Sequence, residues 1–145
     1  MPVSLTTDDD YEAVVIRLAN ATNAHDLAAL TGCFAVDYVN ATPAHPARGF
    51  VGRTQVNANW ERLFASIPDL RVIIINSVVN GHVVWSEWMM TGTRQDGSAH
   101  EMAGVIIFTV RSGEIAHATF YLEPVERQSG SVGDNIRRQT MGTAT

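Results

Sequence analysis

The stretch that most constrains the fold is 98–123, SAHEMAGVIIFTVRSGEIAHATFYLE. Two apolar runs, 101–110 and 115–122, flank Ser112-Gly113, a short turn of the kind that joins antiparallel strands. Runs so rich in Val, Ile and Phe suit strands covered on at least one face. The chain before them repeats the pattern. Residues 70–79 and 82–93 meet at Asn80-Gly81, and 94–98 carries an Asp-Gly turn. The C-terminal half therefore reads as a four-stranded antiparallel meander, and such a sheet needs helices over one face.

The N-terminal half supplies them. Thr7 followed by three aspartates is a helix start, and Tyr11, Val14, Val15, Leu18 and Ala21 or Thr22 share one helical face. Asp26 can cap a second short helix through Leu27, Leu30 and Phe34. Residues 35–41 read as a short strand. The segment 42–52, TPAHPARGFVG, holds two prolines and two glycines and reads as a loop, a lid over a pocket mouth. Thr54 is placed to cap a third helix, with Val56, Trp60, Leu63, Phe64 and Ile67 inward and Pro68 as its stop. A single domain over 1–126 and a polar, flexible tail over 127–145 follow from this order.

Composition removes several function classes. A formal charge of −5 without a Lys/Arg cluster argues against nucleic acid and anionic membranes. No apolar run approaches the roughly 20 residues of a membrane span, and residues 1–10 are too acidic and polar for a secretory signal. The single cysteine, Cys33, excludes an internal disulfide and fits a reducing cytoplasm. The five histidines lack metal-ligand spacing, and no phosphate loop, dinucleotide fingerprint or nucleophile elbow is present, so neither metal nor cofactor is expected.

The element order, helix–helix–strand–loop–helix–four strands, describes an α+β cone. In it a curved antiparallel sheet, the meander plus a short strand, wraps three N-terminal helices and encloses an apolar pocket. With NAHDLAALTGCFAVDYVNATPAHPARGFVG, SIPDLRVIIINSVVNG and AGVIIFTVRSGEIAHATFYLEP, the chain resembles the NTF2-like superfamily and, within it, the SnoaL-like polyketide cyclases. The likeness spans about 11–126. It implies a deep pocket between the helices and the concave sheet face, while the fold itself hosts many activities.

Strand alternation selects the lining. His100, Met102, Ile106 and Phe108, with Ser86, Trp88 and Met90, and Ala118, Phe120 and Leu122, fall on one parity. Asn40 and Thr42 come from the short strand, Leu18 from the first helix, and Trp60 and Phe64 from the third. A bulge would instead turn Glu101, Glu87 or Tyr121 inward. The resemblance implies acids that are missing here. Isomerase-like relatives hold a tyrosine at Leu18, a base near Thr42 and an acid at Ile106. Epoxide hydrolase-like relatives hold an Arg-x-Asp at Trp88-Met89-Met90 and an Asp at Phe120. SnoaL-like cyclases often carry a histidine at Ala41.

Candidate catalytic groups are therefore Glu101, His100 and Asn40. Candidate substrate contacts are Leu18, Thr42, Trp60, Phe64, Trp88, Met90, Met102, Ile106 and Phe120, with His45 in the loop. The expected function is a cofactor-independent cyclase closing a ring in an apolar polyketide-type molecule, a Diels–Alder-type cycloaddition being one form. An aldol-type cyclase or ketosteroid-isomerase-like enzyme using Glu101 or His100 as base remains open, as does a lipophile-binding module without catalysis. The meander is apolar at both parities, so a homodimer through its outer face is also expected.

Overall fold

A computed structural model describes residues 8–141. In order these form α1 (Asp8–Asn23), α2 (Leu27–Thr31), β1 (Phe34–Ala41), a 3-10 turn (Pro46–Arg48), β2 (Phe50–Val51) and α3 (Arg53–Ser66). Then come β3 (Arg71–Asn80), β4 (Val83–Thr93), β5 (Ala99–Arg111), β6 (Glu114–Pro124) and α4 (Val132–Thr140). The fold is the α+β cone expected, with one open sheet in the order β2-β1-β6-β5-β4-β3. It has six strands rather than five: the segment expected as loop contains β2, which pairs Val51 with Val39 and Phe50 with Asn40 on β1. The short strand β1 runs parallel to β6, a non-local pairing that local pattern does not reveal.

Turn chemistry sets the hairpins. Ser112 and Gly113 both have positive φ, 53° and 75°, which gives the twist that a tight antiparallel hairpin needs. At the β3–β4 hairpin the loop is Gly81-His82, one residue later than expected, because Asn80 still pairs with Val83. β4 and β5 pair without a break from Val83↔Thr109 to Thr93↔Ala99. Between Trp88 and Leu122 sits Gly104, with φ 150°. A Cβ there would overlap the Tyr121 carbonyl oxygen, so the close approach of β6 requires glycine at this point of β5.

The helices pack their apolar faces on the concave side. Val14, Val15, Leu18, Ala21 and Thr22 of α1 are buried. Asn23 locks α1 to β3, its side chain accepting from Val72 N at 2.8 Å and donating to Val72 O at 3.0 Å. Asp26 caps α2 through Ala29 N, as expected, but α2 ends at Thr31 and Phe34 opens β1. α3 starts from Gly52 without a side-chain cap, so Thr54 is not its capping residue; Thr7 lies outside the described residues. The tail, expected to lack regular structure, contains α4. Ser131 accepts from Asp134 N, and Asp134 and Arg137-Arg138 complement the helix dipole at its two ends, a capping signal that the polar composition masked. Among the described residues no helix is long and apolar enough to cross a membrane.

Candidate functional site

The concave face encloses a cavity of about 310 Å³ between β1, α3 and the ends of β4, β5 and β6. Phe34, Trp60, Met90, Phe120 and Leu122 line both this cavity and a narrow extension that reaches Leu18, Val72, Trp88 and Ile106. The polar atoms of that inner end are already used within the protein. Thr22 donates to Leu18 O, Trp88 Nε1 donates to Ser86 Oγ at 2.7 Å, and Ser86 donates to Ile106 O at 2.7 Å. The floor therefore presents only apolar surface to a guest.

The outer part is polar. Tyr38, Asn40 and Thr42 lie on one face of the chain around β1 by alternation, and all three line the cavity. Tyr38 donates its phenolic hydrogen to Asn40 Oδ1 at 2.8 Å, and Asn40 Nδ2 donates to Thr42 Oγ1 at 3.3 Å. Burial pushes the Tyr38 phenol well above its ordinary pKa, so it stays a donor and holds the Asn40 amide in one orientation. His100 faces this row from β5. Its Nε2 is buried and has no hydrogen-bond partner, and burial, then the Arg94 charge, lower its pKa, so the ring is neutral at pH 7. An unpartnered buried nitrogen costs about 1–3 kcal/mol, a cost that a ligand could relieve.

Of the residues singled out in the sequence, Asn40, Thr42, Trp60, Met90, His100, Met102 and Phe120 line the main cavity. Leu18, Trp88 and Ile106 line its inner extension. Glu101 does not belong to the cavity. The unbroken β4–β5 register leaves no bulge to turn it inward, and its carboxylate is held on the outer face by Arg127 at 2.6 Å and 3.3 Å. The Arg127 hydrogen bond also keeps Glu101 below the usual carboxylate pKa, which makes it a poor base. Glu87 is likewise exposed. Phe64 is not among the lining residues; it stacks on His25 at 4.5 Å, and His25 is half-buried.

Among the lining residues that the sequence did not single out are Tyr38, Arg48, Phe50 and Asn59. Tyr38 could have been found, since it shares the parity of Asn40. Asn59 could also have been found, since on α3 it is three residues from Val56 and four from Leu63. Arg48 and Phe50 could not, because their placement depends on how the 42–52 segment folds back. That segment is anchored by the β1–β2 pairing, by Gly52 N donating to Tyr38 O at 2.7 Å, and by His45 Nε2 at 2.9 Å from Glu123 on β6. Among the described residues no group of three or more His, Cys, Asp or Glu could hold a metal ion. Cys33 is buried, with its thiol pKa raised by burial, and packs in the core.

Residues 15–118 match the model of the SnoaL-like domain, and the chain belongs to that family. No curated protein matches the chain. Among solved structures it is similar to IdmH from Streptomyces antibioticus, provisionally described as a polyketide cyclase. That match has 22% identity and a TM-score of 0.67, covering 77% of this chain and 91% of IdmH. A Catenulispora acidiphila protein of ketosteroid isomerase-like fold, solved with trimethylamine, matches at 23% identity and TM-score 0.66, covering 74% of this chain and 84% of that one. RV0760c from Mycobacterium tuberculosis, solved with estradiol-17beta-hemisuccinate, matches at 18% identity and TM-score 0.68, covering 77% and 92%. At these identities the likeness is one of fold.

Proposed function

We propose that the protein is a cofactor-independent cyclase that closes a ring in an apolar polyketide-type chain folded inside the cavity. The observation that carries this is the combination of an apolar floor, a polar outer rim and one neutral, unpartnered imidazole between them. The form we favour is an intramolecular cycloaddition: a diene and an alkene on one chain exchange three π bonds for two new σ bonds and one π bond. No atom leaves and no proton moves. Trp60, Met90 and Phe120 would hold the two ends together, and His100 would hydrogen-bond a carbonyl on the reacting alkene. Restraining both ends in a reactive geometry lowers a barrier by up to about 7–11 kcal/mol.

A second reading follows from the same imidazole. With its free nitrogen as acceptor, His100 would remove a proton next to a carbonyl in an aldol-type closure or an isomerisation. Membership of the SnoaL-like family supports a cyclase or isomerase without choosing between them. A single unpaired cysteine fits a cytoplasmic location, and membership of the SnoaL-like family fits a role in natural-product or antibiotic biosynthesis. The exposed Ile73, Ile75, Val78, Trp85 and Tyr121 support a homodimer through the outer sheet face.

The test is incubation with linear polyene-enones, followed by mass spectrometry and NMR. A cyclic product of unchanged mass supports the proposal. A ligand that binds, shifts melting and is returned unaltered across the series makes this a binding module instead.

A further inference from the structure

The polar side chains of the cavity share one property. Every group not already committed within the protein can donate a hydrogen bond, and no lining residue is an acid. Asn59 Oδ1 is occupied by Gln55 at 2.7 Å, which leaves its amide hydrogens free. Thr42 Oγ1 accepts from Asn40, which leaves its hydroxyl hydrogen free. Arg48 lines the cavity from the 3-10 turn, and among the described residues its guanidinium has no hydrogen bond or ion pair. Glu123, the carboxylate bonded to His45 at the start of the 3-10 turn, is held by that imidazole at 2.9 Å and makes no ion pair with Arg48.

We infer that the cavity takes an apolar chain ending in a carboxylate, with the carboxylate at Arg48, Thr42 and Asn59 and the chain running inward past Trp60. The inference rests on the cavity being the substrate site of the proposed cyclase. A guanidinium matches a carboxylate through paired N–H donors, and hydrogen bonds to a charged group are roughly twice as strong as neutral ones. The protein as a whole carries −5 and disfavours anions, so any preference for an acid must come from the donors that line the cavity. With the acid fixed at the rim, the remaining donor, His100, is left for a second oxygen nearer the reacting carbons.

The test uses decanoate and decanamide, which match in size and differ in charge, titrated by calorimetry into the full chain at low salt. Wild type should bind decanoate about tenfold more tightly or better. Arg48→Gln should remove that preference while keeping the decanamide affinity. Arg62→Gln, which removes one charge from α3 away from the cavity lining, should leave it intact. Equal affinities in wild type, or a preference that survives Arg48→Gln, overturns the carboxylate assignment and leaves the cyclase reading standing. Failure of both probes to bind also overturns it, and only that outcome questions the cavity itself.

Discussion

His100 and Glu101 are adjacent on β5 and face opposite sides of the sheet. The imidazole lies in the cavity wall with Nε2 unpartnered, and the carboxylate lies outside, held by Arg127 at 2.6 Å. Strand alternation and an uninterrupted register are sufficient cause. Glu101→Gln should therefore leave ring closure within a few-fold, and His100→Ala should reduce it by less than about 100-fold if the imidazole only polarises a carbonyl. Steady-state turnover of the two variants checks both expectations.

Shape should matter more than either group. Trp60 is half-buried and lines both parts of the cavity, so Trp60→Ala should remove most activity by enlarging the space in which the chain folds. Trp88 is buried and hydrogen-bonded through Ser86, so Trp88→Ala should in addition destabilise the fold by about 3–5 kcal/mol. Denaturant unfolding beside the activity assay separates the two effects.

A pH dependence follows from His100. Its folded-state pKa lies below the ordinary 6.5, so the unfolded chain binds the extra proton first as pH falls. Stability is then full above about pH 6.5 and declines as pH drops through that value toward the folded pKa. Asp37, Asp69, Asp96 and Glu101 have lowered pKa values instead, and their contributions disappear only in the acid range below about 4. His100→Asn should flatten the melting-temperature profile just below about pH 6.5 and leave the acid limb unchanged.

The outer sheet face gives a prediction about assembly. Ile73, Ile75, Val78, Trp85 and Tyr121 are 45–63% exposed, a set of large apolar side chains on the sheet that isolated domains rarely leave uncovered. Light scattering at micromolar concentration should give twice the chain mass, and Trp85→Glu should give a monomer that keeps its fold. A wild-type monomer would contradict this.

How much of this was legible in the sequence depended on range. Period-two alternation placed His100, Met102, Ile106 and Phe120 on one face, because strand geometry acts over neighbouring residues. Gly104 shares their parity, but its need to be glycine comes from the Tyr121 carbonyl on another strand. Arg48 carries no local signal, because the 3-10 turn that holds it is anchored by the His45–Glu123 contact, 78 residues apart in the chain. The tail misled for the opposite reason. Its polar composition argued for disorder, while Ser131 and Asp134 locally specify a helix start.

The central claim is that the cavity closes a ring by holding the chain in shape, with a neutral His100 as hydrogen-bond donor. The measurement that tests it most directly is the pH dependence of kcat on a cyclising linear substrate, for wild type and His100→Gln. A rate constant that is flat above about pH 6.5, with His100→Gln down by less than about 100-fold, is the predicted result. A bell-shaped or steeply sloping profile that vanishes in His100→Gln, with a loss above about 1,000-fold, would contradict it and make His100 a general base.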